Sequence, residues 1–220
     1  EVQNNILYTY QKDISKHVPT SESNRINMVW QSMPSQLVKE NKKFIYGVTK
    51  PGGRAKDFEI AIQWLMDAGL VYKAERVNEA KMPLKFYVDI SGFKLFLLDC
   101  GLLGAMSETP PEKLLVAENG MEESKGAFTE NYVMSQLVAT RDTSVFYYSN
   151  DAKLEIDFLI QHGGEIVPIE AKAEENLRAK SLSTFVASRP GMHGLRFSMS
   201  DYREQGWMTN VPLYAISTYF

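Results

Sequence analysis

The sequence predicts a two-part α+β protein. A winged-helix-like helical domain with its connecting segment covers residues 1–118, and an α/β sandwich around a central mixed sheet covers 119–220. Three observations lead there. Apolar stripes at helical spacing dominate the first seventy residues, as at Phe58, Ala61, Ile62, Leu65 and Met66. Two short strand patterns then follow the last of these helices directly. The second half brackets several short strands between helices, the pattern of a layered α/β arrangement.

Taken in order, Val2, Ile6, Tyr10 and Ile14 recur at i, i+4 and predict a first helix. Because that stripe begins at once and no Met opens the chain, the sequence reads as a piece of a longer protein. SESNRINMVWQSM (21–33) predicts a second helix, whose Ser and Glu suit a capping box. Pro34 suits the first turn of another helix in PSQLVKE. KFIYGV (43–48) reads as a short strand and KPGG as a turn. RAKDFEIAIQWLMDAG predicts a helix stopped at Gly69. LVYKAERV and KFYVDI then read as two strands with KMP between them.

Helix, helix, short strand, helix and a two-stranded wing is the winged-helix order. The helix from Arg54 takes the recognition position, with Arg54 and Lys56 at the end where such helices meet DNA. Although the chain carries a net charge of -3, the stretch from Lys39 to Lys56 has six basic residues against one acid, Glu40. Lys42, Lys43, Lys50, Arg54 and Lys56 are therefore candidates for phosphate contacts. A solvated lysine-rich face explains the same charges equally well.

Residues 101–120, with Pro110-Pro111, carry the expected domain boundary. Beyond it, EESKGAFTENYVMSQLVA predicts a helix and VFYYS a strand. EIDFLIQHGGEIVPIEAKA predicts a hairpin turning at Gly163-Gly164. AKSLSTFVAS predicts a helix, and GLRFSMS and VPLYAI the last strands.

Composition removes several function classes. With 44% hydrophobic and 23% charged residues the chain is ordinary for a globular protein. No apolar run reaches the roughly 20 residues of a membrane span, and the polar start does not resemble a signal peptide. A single cysteine, Cys100, points to a reducing, cytoplasmic setting and reads as a buried thiol in FLLDCGLL. His17, His162 and His193 lack zinc-ligand spacing. GVTKPGGRAK comes nearest to a phosphate-binding loop but lacks its lysine, so no nucleotide site is expected in this stretch.

The hairpin is the chemically distinctive segment. Two central glycines put His162 opposite Glu165, and the same register puts Asp157 opposite Glu170 and Glu155 opposite Lys172. Alternation gives one apolar face, from Ile156, Phe158, Ile160, Val167, Ile169 and Ala171, and a second face with the charges. Like charges across a strand pair are destabilising. Two explanations stay open. Lys172 pairs with Glu155 and offsets the repulsion, or a divalent cation sits between Asp157 and Glu170 with Lys172 beside it. On the preceding helix Glu130 shares a stripe with Ala127, Met134, Leu137 and Val138, where an acid is costly unless paired or metal-linked.

Glu130, Asp157 and Glu170-Ala171-Lys172, in a strand–turn–strand context, resemble the PD-(D/E)XK nuclease superfamily, although Ile156 stands where that superfamily usually has a proline. WLMDAGLVYKAERV, MPLKFYVDISGFKLFLLDCGLL, KGAFTENYV, EIDFLI, PIEAKA, KSLSTF and VPLYAI together resemble domain-of-unknown-function family 4143 over nearly the whole chain. In that family the region follows an AAA-type ATPase core. The resemblance implies a winged-helix segment, then a restriction-endonuclease-like domain. It also implies an ATPase domain elsewhere in the same chain as partner, with DNA as ligand and homo-oligomers as an option. Asp157 and Glu170 become metal ligands for Mg²⁺, or Mn²⁺ in its place, with the Ala171 carbonyl as a third. Lys172 becomes the catalytic lysine, Glu130 the supporting helix acid, and Lys180 a phosphate contact. A regulatory module that binds DNA or protein without cutting is the alternative.

Overall fold

The structure, a computed structural model, describes residues 1–39, 43–110, 112, 122–140, 144–150, 154–173 and 179–220. Among them a helical N-terminal part precedes one mixed sheet. The helices are α1 (Val2–His17), α2 (Thr20–Leu37), α3 (Tyr46–Thr49), α4 (Ala55–Asp67), α5 (Cys100–Met106), α6 (Glu122–Thr140), α7 (Lys180–Ala187) and α8 (Ile216–Tyr219). The strands are β1 (Val71–Val77), β2 (Val88–Leu97), β3 (Phe146–Ser149), β4 (Glu155–His162), β5 (Glu165–Lys172), β6 (Gly194–Ser198), β7 (Arg203–Glu204) and β8 (Met208–Pro212). The chain forms two compact units, one from 1–73 with 95–131 and the other from 74–94 with 132–220. The expected boundary at 118/119, and Leu114 to Val116 beside it, lie outside the described residues.

In the first unit, α2 buries Ile26, Val29, Trp30, Met33 and Leu37 along one uninterrupted stripe. That stripe carries the helix through Pro34, which lies inside α2 and does not start a new helix. Proline removes one intrahelical bond, and burial on both sides of it outweighs the loss. The expected Ser–Glu cap is absent, since Pro19 is the N-cap and no side chain bonds there. KFIYGV is not a strand: α3 begins at Tyr46. The Gln36 amide takes the place of a strand partner, donating to the Ile45 carbonyl at 2.9 Å and accepting from the Ile45 N–H at 3.0 Å. Helix α4 forms as expected. Asp57 accepts from the Arg54 N–H at 3.0 Å, and Gly69 takes the left-handed conformation at φ 68° that ends it. Asp99 caps α5, which sequence reasoning left as connecting segment, by accepting from the Leu102 N–H at 2.9 Å. Cys100 is half-buried where a fully buried thiol was expected.

In the second unit the strand order is β2-β1-β3-β4-β5-β6-β8-β7. The expected wing does not stand alone. β1 pairs in parallel with β3, aligning Arg76 with Tyr147. β3, β4 and β5 are antiparallel, while β5, β6 and β8 run parallel. KFYVDI is split, with a 3-10 turn at Leu84–Tyr87 before β2. VPLYAI is also split, because β8 ends at Pro212 and the chain then turns helical. Helix α7 covers the sheet through Leu182, Phe185 and Val186, which pack with Phe146, Tyr148, Ile156 and Leu159.

Candidate functional site

The hairpin turns as the glycines dictate. Gly163 and Gly164 have φ of 59° and 83°, the pair of positive values a two-residue hairpin turn needs. The register holds from His162 opposite Glu165 to Phe158 opposite Ile169. On the other side of β4, Phe146 faces Leu159 but Tyr148 faces Ile156, so Tyr147 alone opposes Asp157 and Phe158. This is a β-bulge, and it corrects the strict alternation read from sequence: Ile156 and Leu159 join the same core cluster. Bulges re-aim side chains. Here the re-aimed side chain is Asp157, whose Oδ2 accepts a 2.9 Å hydrogen bond from the Ala171 N–H.

Glu170 is buried, at 7% exposure. Its Oε1 lies 3.1 Å from Lys172 Nζ, and its buried Oε2 makes no hydrogen bond among the described residues. Lys172 therefore pairs along its own strand and Glu155 pairs elsewhere, in place of the cross-strand pair that one reading expected. Glu155 accepts from Lys94 at 2.6 Å, and that ammonium also lies 4.8 Å from the centre of the Tyr147 ring.

Parallel pairing with β6 places Arg196 in register with Glu170, and β8 places Asn210 beside Arg196. Arg196 is 1% exposed and its Nε donates to Asn210 Oδ1 at 2.7 Å. The amide is oriented in turn, donating to the carbonyls of Ser200 at 3.1 Å and Asp201 at 2.8 Å. Burial lowers the pKa of the guanidinium; the Glu170 carboxylate acts the other way and Arg203 adds to the lowering. The group stays a cation. Sequence reasoning missed Lys94, Arg196 and Asn210. Their signal was a single charged or amide residue inside a mostly apolar strand, in FKLFL, GLRFS and MTNVP. Such a group is buried only with partners.

The remaining expected residues fall in separate places. Glu130 is buried at 6% exposure on the part of α6 that belongs to the first unit. Lys50, Arg54 and Lys56 are exposed around the start of α4, Lys43 is half-buried, and Lys42 lies outside the described residues. Lys180 is exposed at the first position of α7. Cys100 offers little thiolate chemistry. Burial pushes it up to about 11, while a hydrogen bond from Asn131 works in the other direction. Among the described residues no cluster of three or more His, Cys, Asp or Glu side chains suits a metal ion. No described helix is long and apolar enough to cross a membrane.

Comparison with known proteins adds two family matches. The model described as Domain of unknown function (DUF4143) matches residues 125–216, so that match covers the second half and not nearly the whole chain. The runs around WLMDAGLVYKAERV fall under a different model. No curated protein and no solved structure matches the chain. The model described as Domain of unknown function (DUF8612) matches residues 1–113, more than half of the 220 residues, and the chain belongs to that family.

Proposed function

We propose that the 155–172 hairpin carries a site for divalent-cation-assisted phosphodiester hydrolysis, on a DNA-binding module of a larger AAA-type ATPase. The observation that carries this reading is the Glu170 carboxylate. It is buried with one oxygen making no hydrogen bond among the described residues, and Asp157 is fixed on the adjoining Ala171 N–H. The donor set fits a hard cation: two carboxylates and the Ala171 carbonyl are all oxygen. Mg²⁺ commonly takes one or two carboxylates and completes its shell with water and substrate oxygens. The element order also supports the restriction-endonuclease-like reading, with helix α6, antiparallel β3–β5, helix α7 and parallel β6 in sequence.

Asp157, Glu170 and the Ala171 carbonyl would hold Mg²⁺ or Mn²⁺, which when bound supplies Lewis-acid polarisation of water or a phosphoryl oxygen. Lys172, with its side chain 39% exposed, is positioned to orient the attacking water and balance charge on the phosphate. Asp157 is kept from rotating by its bond to Ala171. Lys50, Arg54, Lys56 and Lys180 supply exposed positive charge for the nucleic-acid backbone. The nucleotide site of the ATPase belongs to another domain in this reading.

The test is cleavage of plasmid and oligonucleotide DNA with Mg²⁺ or Mn²⁺. Cutting should disappear with chelator and in Asp157→Asn, Glu170→Gln and Lys172→Met, each checked for folding by circular dichroism. Cutting that survives in all three variants sinks the reading.

A second reading, a regulatory module that binds DNA or protein without cutting, is favoured by one observation. Three of the hairpin acids already have an internal partner: Asp157 the Ala171 N–H, Glu170 Lys172, and Glu155 Lys94. DNA binding with no cleavage and no heat of metal binding selects that alternative.

A further inference from the structure

Lys172 ends β5, and parallel pairing puts it in register with Ser198 at the end of β6. Ser198 is in register with Pro212 at the end of β8. Three parallel strands of the second unit therefore finish side by side, about 5 Å apart. Open sheets with parallel strands bind their ligands outside such carboxyl ends. What the chain presents there is mainly aromatic. The segment leaving β6 carries Met199 and Tyr202, both exposed, with Tyr202 at 53%. Two residues beyond β8 stands Tyr214, 80% exposed. Tyr202 is held in place, because its hydroxyl donates to the Glu204 carboxylate. That bond first, then burial and the charges of Glu204 and Tyr219, push the phenol up to about 12. The ring thus stays neutral beside a phosphate. Arg203, exposed next to it, adds a positive charge for one.

Rings left in water at the mouth of a candidate site mark something that covers them. In a duplex the faces of the bases are stacked on one another, whereas an unpaired base offers a free face to an aromatic side chain. From Lys172 across to the end of β8 is about 10 Å, the length of roughly three stacked nucleotides at about 3.4 Å each. A phosphate held at Lys172 would therefore bring its neighbouring bases to the tyrosines. We propose that Tyr202 and Tyr214 form a stacking platform for unpaired nucleobases, so that the hairpin site takes single-stranded nucleic acid. The proposal rests on the cleavage reading above and adds the strand form of the substrate.

The experiment is fluorescence anisotropy of a labelled single-stranded oligonucleotide, and of the same sequence as a duplex, titrated with the whole chain in chelator so that nothing is cut. The single strand should bind at least about tenfold more tightly than the duplex. Tyr202→Ala and Tyr214→Ala should each weaken single-strand binding by about tenfold. The salt dependence should not change, because no charge is lost. Tyr214→Phe, which keeps the ring, should bind as the parent does. Should Tyr202→Ala fail to fold, the far more exposed Tyr214 carries the test alone. Equal or tighter binding of the duplex overturns the proposal, as does unchanged affinity in the alanine variants. A dimer that Tyr214→Ala converts to monomer in sedimentation gives the patch to a second copy of the chain and overturns it too. The cleavage reading fails separately: tyrosine-dependent single-strand binding with no cutting when Mg²⁺ or Mn²⁺ is supplied leaves the platform standing and removes only the chemistry.

Discussion

Two acid–lysine pairs of the second unit, Lys94–Glu155 and Lys172–Glu170, are built in opposite senses. In Lys94–Glu155 the lysine is the buried partner, at 1% side-chain exposure against 27% for the acid. In Lys172–Glu170 the acid is buried, at 9% against 39% for the lysine. The buried partner of a pair is the one its surroundings have fixed. Around Lys94 those surroundings are a carboxylate and the Tyr147 ring, which suit an ammonium. Glu170 instead has a lysine, an arginine in register and one oxygen without a hydrogen bond among the described residues. The first pair closes on itself, and the second leaves a buried anion facing an adjustable partner. That difference separates a structural ion pair from a candidate site, and it can be broken by removing the exposed member of each pair.

The largest expected effect comes from Glu155→Ala. It takes away the carboxylate that Lys94 donates to, and leaves an almost fully buried ammonium to the Tyr147 ring and its other neighbours. Removing one partner of a buried pair costs roughly 3–5 kcal/mol; with Glu155 partly exposed, we expect about 3 kcal/mol. Chemical denaturation read by tryptophan fluorescence measures it. A loss below about 1 kcal/mol would place the pair with ordinary surface ion pairs and remove the contrast.

Sequence reasoning reached the residues of one pair, although it set Lys172 against Glu155, and missed Lys94 for a physical reason. The Glu170-Ala171-Lys172 pair is local, two residues apart on one strand, and the Gly163-Gly164 turn supplied a register that the structure keeps from His162 to Phe158. Lys94 and Glu155 are 61 residues apart and meet only because β1 pairs in parallel with β3. Nothing in the local pattern announces that pairing, and the winged-helix order suggested a free-standing wing. Arg196 was hidden in the same way, since its partners Glu170 and Asn210 come from two other parallel strands. The helices were legible wherever a stripe ran uninterrupted. Reading went astray at Pro34 and at KFIYGV, where tertiary burial and one glutamine side chain overrode local signals. The bulge at Asp157 was invisible to counting, because it comes from how β3 lies against β4.

An intermediate effect should come from Asp157→Ala. The substitution orphans the Ala171 N–H beside a half-buried strand end, and an unsatisfied buried donor costs about 1–3 kcal/mol. Hydrogen exchange makes the test local: the Ala171 amide should lose protection while amides of the 163–164 turn keep theirs. Unchanged exchange at Ala171 would mean that the bulge does not depend on this side chain.

The smallest stability change belongs to Lys172→Met, and it sharpens the comparison most. The ammonium is more than a third exposed, so its pairing with Glu170 is worth at most about 1 kcal/mol. Arg196 stays in register beside the acid when Lys172 is gone, so Glu170 is not left as a bare buried charge. Melting temperature should therefore move by only a few degrees. If Lys172 serves the chemistry proposed above, DNA cleavage should nonetheless fall to background in a protein that folds as the parent does. A large stability loss would instead mark Lys172–Glu170 as a structural pair of the same kind as Lys94–Glu155. The opposite burial of the two pairs would then reflect packing alone, with no site at the end of the hairpin to account for it.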